Sequence, residues 1–215
     1  MADPSPLVEE GRRSAPKDEE EFVRQTYLVF LASLVAMIAL GFISYRLLPQ
    51  SALGILCVAD ALIWIACGWF GWRHPILLSF GLFTLITGLL LGQIAHSSPH
   101  LLALTSVLSF VAFAGLSMYV HLTRQSFSFL RGFLWISFFV LLGGCLLLPF
   151  ARNNTLDLLL AAFGTIVFAC WILYDTGELL ERLDENLTPG VAAFELILDL
   201  VGLRGWLEGL LRGKG

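Results

Sequence analysis

The chain has 215 residues, of which 57% are hydrophobic and only 14% are charged, and its mean hydropathy is +0.81. A soluble domain carries about 25% charged residues, whereas apolar runs of about 20 residues, each able to cross ~30 Å of hydrocarbon, recur along this chain. This composition excludes an ordinary soluble protein and predicts an all-α membrane protein. The formal net charge of −4 says little about partners, because much of it lies in a polar N-terminal segment.

The first 22 residues are polar and rich in acidic residues, arginines and prolines. No apolar core directly follows Met1, so this segment does not have the pattern of a cleavable signal peptide. We predict that residues 1–22 form a disordered polar cytoplasmic tail and that residues 23–215 form a single seven-helix transmembrane domain.

Seven apolar segments, separated by short loops, follow this tail and favour one compact helical bundle. The predicted helices span residues 26–48, 52–72, 75–95, 100–122, 129–150, 156–180 and 190–211. Positive charges near the ends of the spans lie mainly on the side of the N-terminus, which predicts that this side is cytoplasmic. That side has Arg12, Arg13, Lys17, Arg24, Arg73, Arg124, Arg131 and Arg182, and the other side has Arg46 and Arg152.

The seventh segment is the least apolar, because it contains Glu195, Asp199, Arg204 and Glu208. A helix with these charges would be unstable with lipid on every side, so we expect it at the centre of the bundle, surrounded by the other six. Arg204 and Glu208 are four residues apart and can pair on one face. Two readings of this segment stay open, a full span and a half-inserted helix.

Two aspartates, Asp175 and Asp199, lie inside the last two apolar segments. A carboxylate at bilayer depth costs about 2.5–3.5 kcal/mol on insertion scales, and such a group normally faces a cavity, a partner or a pathway. Two carboxyls within hydrogen-bonding reach share a proton and titrate as a unit, which makes them a natural pH sensor. Once ionised, the pair is a hard oxygen site suited to Ca²⁺. The structural alternative is that each aspartate pairs with an arginine and fixes helix register.

Four further charged residues are accessory candidates. Arg73 ends the second helix, where it can neutralise one aspartate and act as a latch. Asp60 lies inside the same helix, and for this residue a structural and a functional role are equally open. Glu178 and Glu195 lie near the membrane edges on the helices that carry the two aspartates, and a structural role is favoured for both.

Neither the cysteines nor the histidines indicate a metal or redox site. The four cysteines lie inside apolar segments without CxxC spacing, and we expect them to be small buried hydrophobes. The four histidines lie at predicted helix ends or in loops, and no HExxH motif occurs. We therefore expect no permanently bound cofactor.

Several motifs occur in a recognisable order. The third helix reads PILLSFGLFTLITGLLLG over residues 75–92, the fourth ends with GLSMYV over 115–120, the sixth carries Tyr174-Asp175-Thr176, and the seventh carries Leu198-Asp199-Leu200. In this order the chain resembles the Bax-inhibitor family, also called the transmembrane Bax inhibitor motif family, over about residues 26–211.

The resemblance implies a seven-helix fold with the last helix central, and a calcium leak gated by pH through an aspartate pair. Carried over by motif, the pair is Asp175 and Asp199, and Arg73 is the positional candidate for an arginine that latches onto it. The chain departs from the family at Arg204, where the family usually has an apolar or aromatic residue. Suppression of cell death, which names the family, is implied for its eukaryotic members.

Three other functions share some of these features. Intramembrane aspartyl proteases also place Tyr-Asp on one helix and Asp on the next. Their second motif is Gly-x-Gly-Asp, whereas Leu196-Ile197-Leu198 precede Asp199 here. A non-conducting regulator that binds other membrane proteins and a proton-coupled transporter are the other two alternatives, and a flux measurement separates them from a channel.

The sequence as a whole predicts a non-enzymatic, pH-sensitive, Ca²⁺-permeable channel or leak in a plasma (inner) membrane. We find no nucleotide-binding loop, nucleophile triad or nucleic-acid footprint. The expected partners are the lipid bilayer, protons and Ca²⁺ as the transported ion, with no nucleic acid, and the sequence does not identify a protein partner.

Overall fold

The computed structural model describes residues 16–70, 76–151, 154–181 and 188–212. These residues form seven α-helices and one 3₁₀ turn. The helices are α1 (Pro16–Leu47), α2 (Leu53–Phe70), α3 (Ile76–Ser97), α4 (Pro99–Thr123), α5 (Leu130–Ala151), α6 (Asn154–Glu181) and α7 (Pro189–Arg212), and the 3₁₀ turn Gln50–Ala52 precedes α2.

The first helix begins earlier than predicted, at Pro16 rather than at residue 26. The predicted disordered tail over 1–22 is therefore wrong for residues 16–22, which are helical; residues 1–15 lie outside the described residues. Proline suits the first turn of a helix, because its missing N–H is not needed there. Glu21 lies 3.8 Å from the guanidinium of Arg24 and accepts a 3.2 Å hydrogen bond from Gln25, and such contacts favour a helix.

The outer surface of the described helices is apolar. Ile38, Leu122 and Phe129 expose 73%, 73% and 75% of their surface, and a soluble protein rarely leaves a continuous apolar surface in water. Five helical segments are long and apolar enough to cross a membrane, namely Glu20–Leu47, Ser79–Ser97, Pro99–Thr123, Leu130–Leu147 and Asn154–Leu180. The chain is thus an all-helical integral membrane protein with five candidate spans. Helix α7 is not one of these five segments, because it contains too many charged side chains.

The exposure of apolar residues corrects the prediction for the cysteines. Cys57 and Cys145 are exposed and Cys170 is half-buried, so the expectation of small buried hydrophobes is wrong for the first two. In a membrane an apolar residue is stable on the outer surface, and hydrophobicity therefore does not indicate burial. Cys67 lies outside the residues whose side chains are described.

The C-terminal helix packs against four of the other six helices. Helix α7 packs along α6, contacts α1 and α4 extensively, and touches α3. Its buried residues are Val191, Ala192, Ala193, Phe194, Leu196, Ile197, Asp199, Leu200, Leu203 and Glu208. Helix α5, by contrast, packs chiefly against α6. This arrangement leaves space between α5 and α3.

Helices α1 and α3 approach each other closely through glycines. A Cβ atom at Gly92 would collide with the backbone carbonyl oxygen of Gly41, and a Cβ at Gly88 would lie 2.9 Å from the Cβ of Leu40. The GxxxG pair of α3 is thus a helix contact, as this spacing allows. Gln93, fully buried, donates from Nε2 to the hydroxyl of Ser44 at 3.0 Å and holds the same two helices in register.

Candidate functional site

The structure brings the two predicted aspartates together. Asp199 is 4% exposed on α7 and its carboxyl group is hydrogen-bonded to that of Asp175 on α6. An ionised carboxylate is only an acceptor, so a hydrogen bond between two carboxyls needs a proton on one of them. The two side chains therefore form a carboxyl dyad that can share one proton.

One oxygen of this dyad has no hydrogen-bond partner in the part of the chain that the structure describes. Among the described residues, no donor reaches Oδ2 of Asp199, although the atom is buried. Glu195 lies one turn before Asp199 on α7 and acts on it electrostatically, which adds a second negative charge to the environment of the dyad. A buried carboxylate without a partner is costly, so this oxygen is a ready acceptor for a proton or a cation.

A chain of hydroxyl groups beside the dyad joins three helices. Thr176, fully buried and adjacent to Asp175, lies 3.3 Å from the hydroxyl of Ser117 on α4. Ser117 in turn interacts with the hydroxyl of Tyr27 on α1. Sequence reasoning assigned no role to these three residues. Their signal was the polar character of residues at inward positions of otherwise apolar spans.

The dyad alone is a poor resident metal site. Among the described residues, no group of three or more His, Cys, Asp or Glu side chains is placed to hold a metal ion. Ca²⁺ takes about 6–8 oxygen ligands, so an ion at Asp175 and Asp199 would need most of its ligands from water or from the backbone. The donor set suits a hydrated cation in transit better than a tightly bound one.

The other predicted residues lie in different surroundings. Asp60 accepts a 2.6 Å hydrogen bond from the hydroxyl of Thr87, which ties α2 to α3. Glu178 is half-buried on α6, three residues after Asp175. Arg73, the predicted latch, lies outside the described residues.

The predicted ion pair of α7 is present. Arg204 donates to Glu208 at 2.7 Å, and Glu208 also accepts from Arg212 at 2.6 Å. The side chains of Arg204 and Glu208 are 11% and 10% exposed. Arg204 also lines a cavity of about 420 Å³, and Asp60 lies in another wall of this cavity.

The sequence model of the family described as "Inhibitor of apoptosis-promoting Bax1" matches residues 19–204 of the chain, which include both aspartates and six of the seven helices in full or nearly so. The chain belongs to the Bax-inhibitor family. This assignment agrees with the order of motifs along the chain and with the all-helical membrane architecture.

Proteins from a bacterium, a virus and a yeast are similar to this chain. An uncharacterized protein of Campylobacter jejuni is 31% identical over 205 residues, covering 89% of this chain and 87% of the relative. The Golgi anti-apoptotic protein of Vaccinia virus (strain Lister) is 32% identical over 56% of this chain and 51% of its own length. Bax inhibitor 1 of Schizosaccharomyces pombe is 33% identical over 47% of this chain and 39% of its own length.

Proposed function

We propose that this Bax-inhibitor family protein is a pH-sensitive, Ca²⁺-permeable leak, with Asp175 and Asp199 as the pH sensor and as part of the ion pathway. We further propose that α2 and α7 cross the bilayer with the other five helices, that the membrane is a plasma (inner) membrane, and that the N-terminus is cytoplasmic. The protein acts without enzymatic chemistry, because a cation needs only a path and a gate.

The observation that carries this proposal is the dyad of half-buried Asp175 and buried Asp199, in which Oδ2 of Asp199 meets no donor among the described residues. Arg204 of α7 is paired with Glu208, which lies nine residues beyond Asp199. A dyad that holds one proton changes its charge with pH, and a charge at bilayer depth strongly biases the packing of α6 against α7.

Two gating schemes follow from the dyad, and they differ in sign. If loss of the shared proton makes Asp175 and Asp199 repel, flux rises as the pH rises. If Arg73 neutralises an ionised aspartate and holds the closed state, protonation releases the latch and flux rises as the pH falls. The sign of the pH dependence distinguishes these schemes, and Arg73→Ala is expected to raise the basal flux only in the second.

The second candidate is a non-conducting regulator that acts through other membrane proteins. The names of two relatives, the Golgi anti-apoptotic protein and Bax inhibitor 1, favour this alternative. Purified protein that moves no ions in a defined bilayer would support it.

We predict that Asp199→Asn abolishes the pH dependence of Ca²⁺ flux. Asparagine has nearly the same shape as aspartate but cannot lose a proton, so the dyad can no longer change its charge. The measurement is the Ca²⁺ flux of proteoliposomes as a function of pH. Asp157→Asn is the matched control, because Asp157 is an exposed acid in the first turn of α6. Wild-type pH dependence in Asp199→Asn would remove the dyad from gating.

A further inference from the structure

The cavity beside α7 has a composition that the dyad does not explain. It has a volume of about 420 Å³ and lies between α5 and α3, with walls also from α2, α6 and α7. Most of its lining is apolar, but Asp60, Thr87 and Arg204 also line it. Cavities of about 300–1,000 Å³ with a few converging polar groups are typical of functional sites.

The charges around this cavity are balanced. Arg204 faces it, but Glu208 lies 2.7 Å from that guanidinium and is shared with Arg212, and Asp60 contributes a second carboxylate. The formal charges of these four side chains add up to zero. The charge of Arg204 in the cavity wall is therefore offset by the carboxylate of Glu208, and Asp60 supplies a carboxylate to the lining.

An aromatic ring in the wall of the cavity rests on a glycine of the neighbouring helix. Phe168 of α6 lines the cavity and packs on Gly202 of α7 so closely that a Cβ atom at Gly202 would collide with the ring. A second contact of the same type lies one helical turn further from the dyad. There the two helices exchange roles, because Trp206 of α7 packs on Gly164 of α6. Each helix thus presents a glycine and, four residues later, an aromatic ring.

We call the two contacts Phe168–Gly202 and Trp206–Gly164 the interlock. The dyad lies next to the interlock along α6 and α7. Asp199 is three residues before Gly202, and Asp175 is seven residues after Phe168, which corresponds to roughly 10 Å along the helix axis. Ile172 is fully buried and lies on α6 between Phe168 and Asp175. The same two helices therefore carry the dyad and the apolar contact in the cavity wall.

We propose that the cavity is the vestibule of the ion pathway at the Asn154 and Arg212 end of α6 and α7, and that Phe168 seated on Gly202 is its closed hydrophobic gate. Narrow apolar constrictions of this kind block ions because water leaves them. The proposal rests on the proposed leak function. It also explains the use of glycine at position 202, since any larger residue would hold α6 and α7 apart.

The test measures water access and ion flux separately. Ile172→Cys, in a protein whose four native cysteines are replaced by serine or alanine, reports access beyond the gate through its reaction with a water-soluble cationic methanethiosulfonate reagent. With Phe168 present the reaction is slow, and Phe168→Ala is expected to accelerate it at least about tenfold, because removal of the ring lets water through. Phe110→Ala is the control, since Phe110 lies on the outer surface of α4 and is 46% exposed.

The outcomes separate the gate from the leak. Equal reaction rates for Ile172→Cys with and without Phe168→Ala would overturn the gate. Faster reaction together with raised Ca²⁺ flux, at the pH where wild-type flux is lowest, supports gate and leak together. Faster reaction with no Ca²⁺ flux in any variant would support Phe168 as a barrier to water and would contradict the proposed leak. Phe168→Leu, expected to give intermediate rates, carries the test if Phe168→Ala does not purify as a folded protein.

Discussion

Gly92→Ala is expected to destabilise the protein, although alanine is normally the better helix residue by about 1 kcal/mol. The added methyl group would collide with the carbonyl oxygen of Gly41 and lie 2.8 Å from the Cβ of Ser44. Because one collision is with backbone, helices α1 and α3 must move apart to relieve it. Overpacking of this kind costs about 1–3 kcal/mol and here is expected at the upper end of that range.

Gly81→Ala is the matched control for this prediction, because Gly81 lies on the same helix and nothing lies within 4 Å of its added Cβ. In thermal unfolding of the detergent-purified protein, Gly81→Ala should raise the Tm slightly and Gly92→Ala should lower it, by about 2–4 °C for each kcal/mol. A Tm for Gly92→Ala equal to that of Gly81→Ala would show that α1 and α3 do not pack through these glycines.

Glu208→Gln is expected to have the second large effect. Glu208 accepts from Arg204 at 2.7 Å and from Arg212 at 2.6 Å, and both Glu208 and Arg204 are about nine-tenths buried. Removing the carboxylate would leave the largely buried guanidinium of Arg204 without the counter-charge that it contacts. Breaking a buried pair in this way costs about 3–5 kcal/mol, and thermal unfolding is again the measurement.

Two further variants serve as comparisons for Glu208→Gln, one that removes both charges of the pair and one at an exposed ion pair. The double variant Arg204→Met/Glu208→Gln should recover most of the stability, because it removes both charges together. Glu21→Gln is the surface control, since Glu21 is 59% exposed and lies 3.8 Å from Arg24, where a change within about 0.5 kcal/mol is expected. A double variant no more stable than Glu208→Gln would contradict a role for the ion pair.

The sequence was a good guide to the helices, because hydrophobic runs of membrane length are a strong local signal. The fifth helix, predicted over 129–150, is observed as Leu130–Ala151, and the sixth, predicted over 156–180, as Asn154–Glu181. The start of α1 was missed because charged residues at a helix N-terminus resemble a disordered tail in composition. The exposure of Cys57 was missed because lipid removes the link between apolar character and burial.

The sequence predicted residues of the candidate site only where the residue type is unusual for its surroundings. An aspartate inside an apolar segment stands out, and so Asp175 and Asp199 could be paired before their contact was known. The Phe168–Gly202 and Trp206–Gly164 contacts were not predictable, because glycine and aromatic residues are common in membrane helices. Their meaning depends on the rotation and register of α6 against α7, which no local pattern specifies.

The most direct test of the central claim is Ca²⁺ uptake into proteoliposomes that contain only this protein, measured from about pH 6 to about pH 8 because a carboxyl pair that shares a proton titrates as a unit. Asp175→Asn is measured in parallel, with Asp157→Asn as the control. We expect uptake that changes with pH in the wild type and in Asp157→Asn, and uptake independent of pH in Asp175→Asn. Folded, inserted protein that takes up no Ca²⁺ at any pH would contradict the leak and favour a regulator that acts through partners.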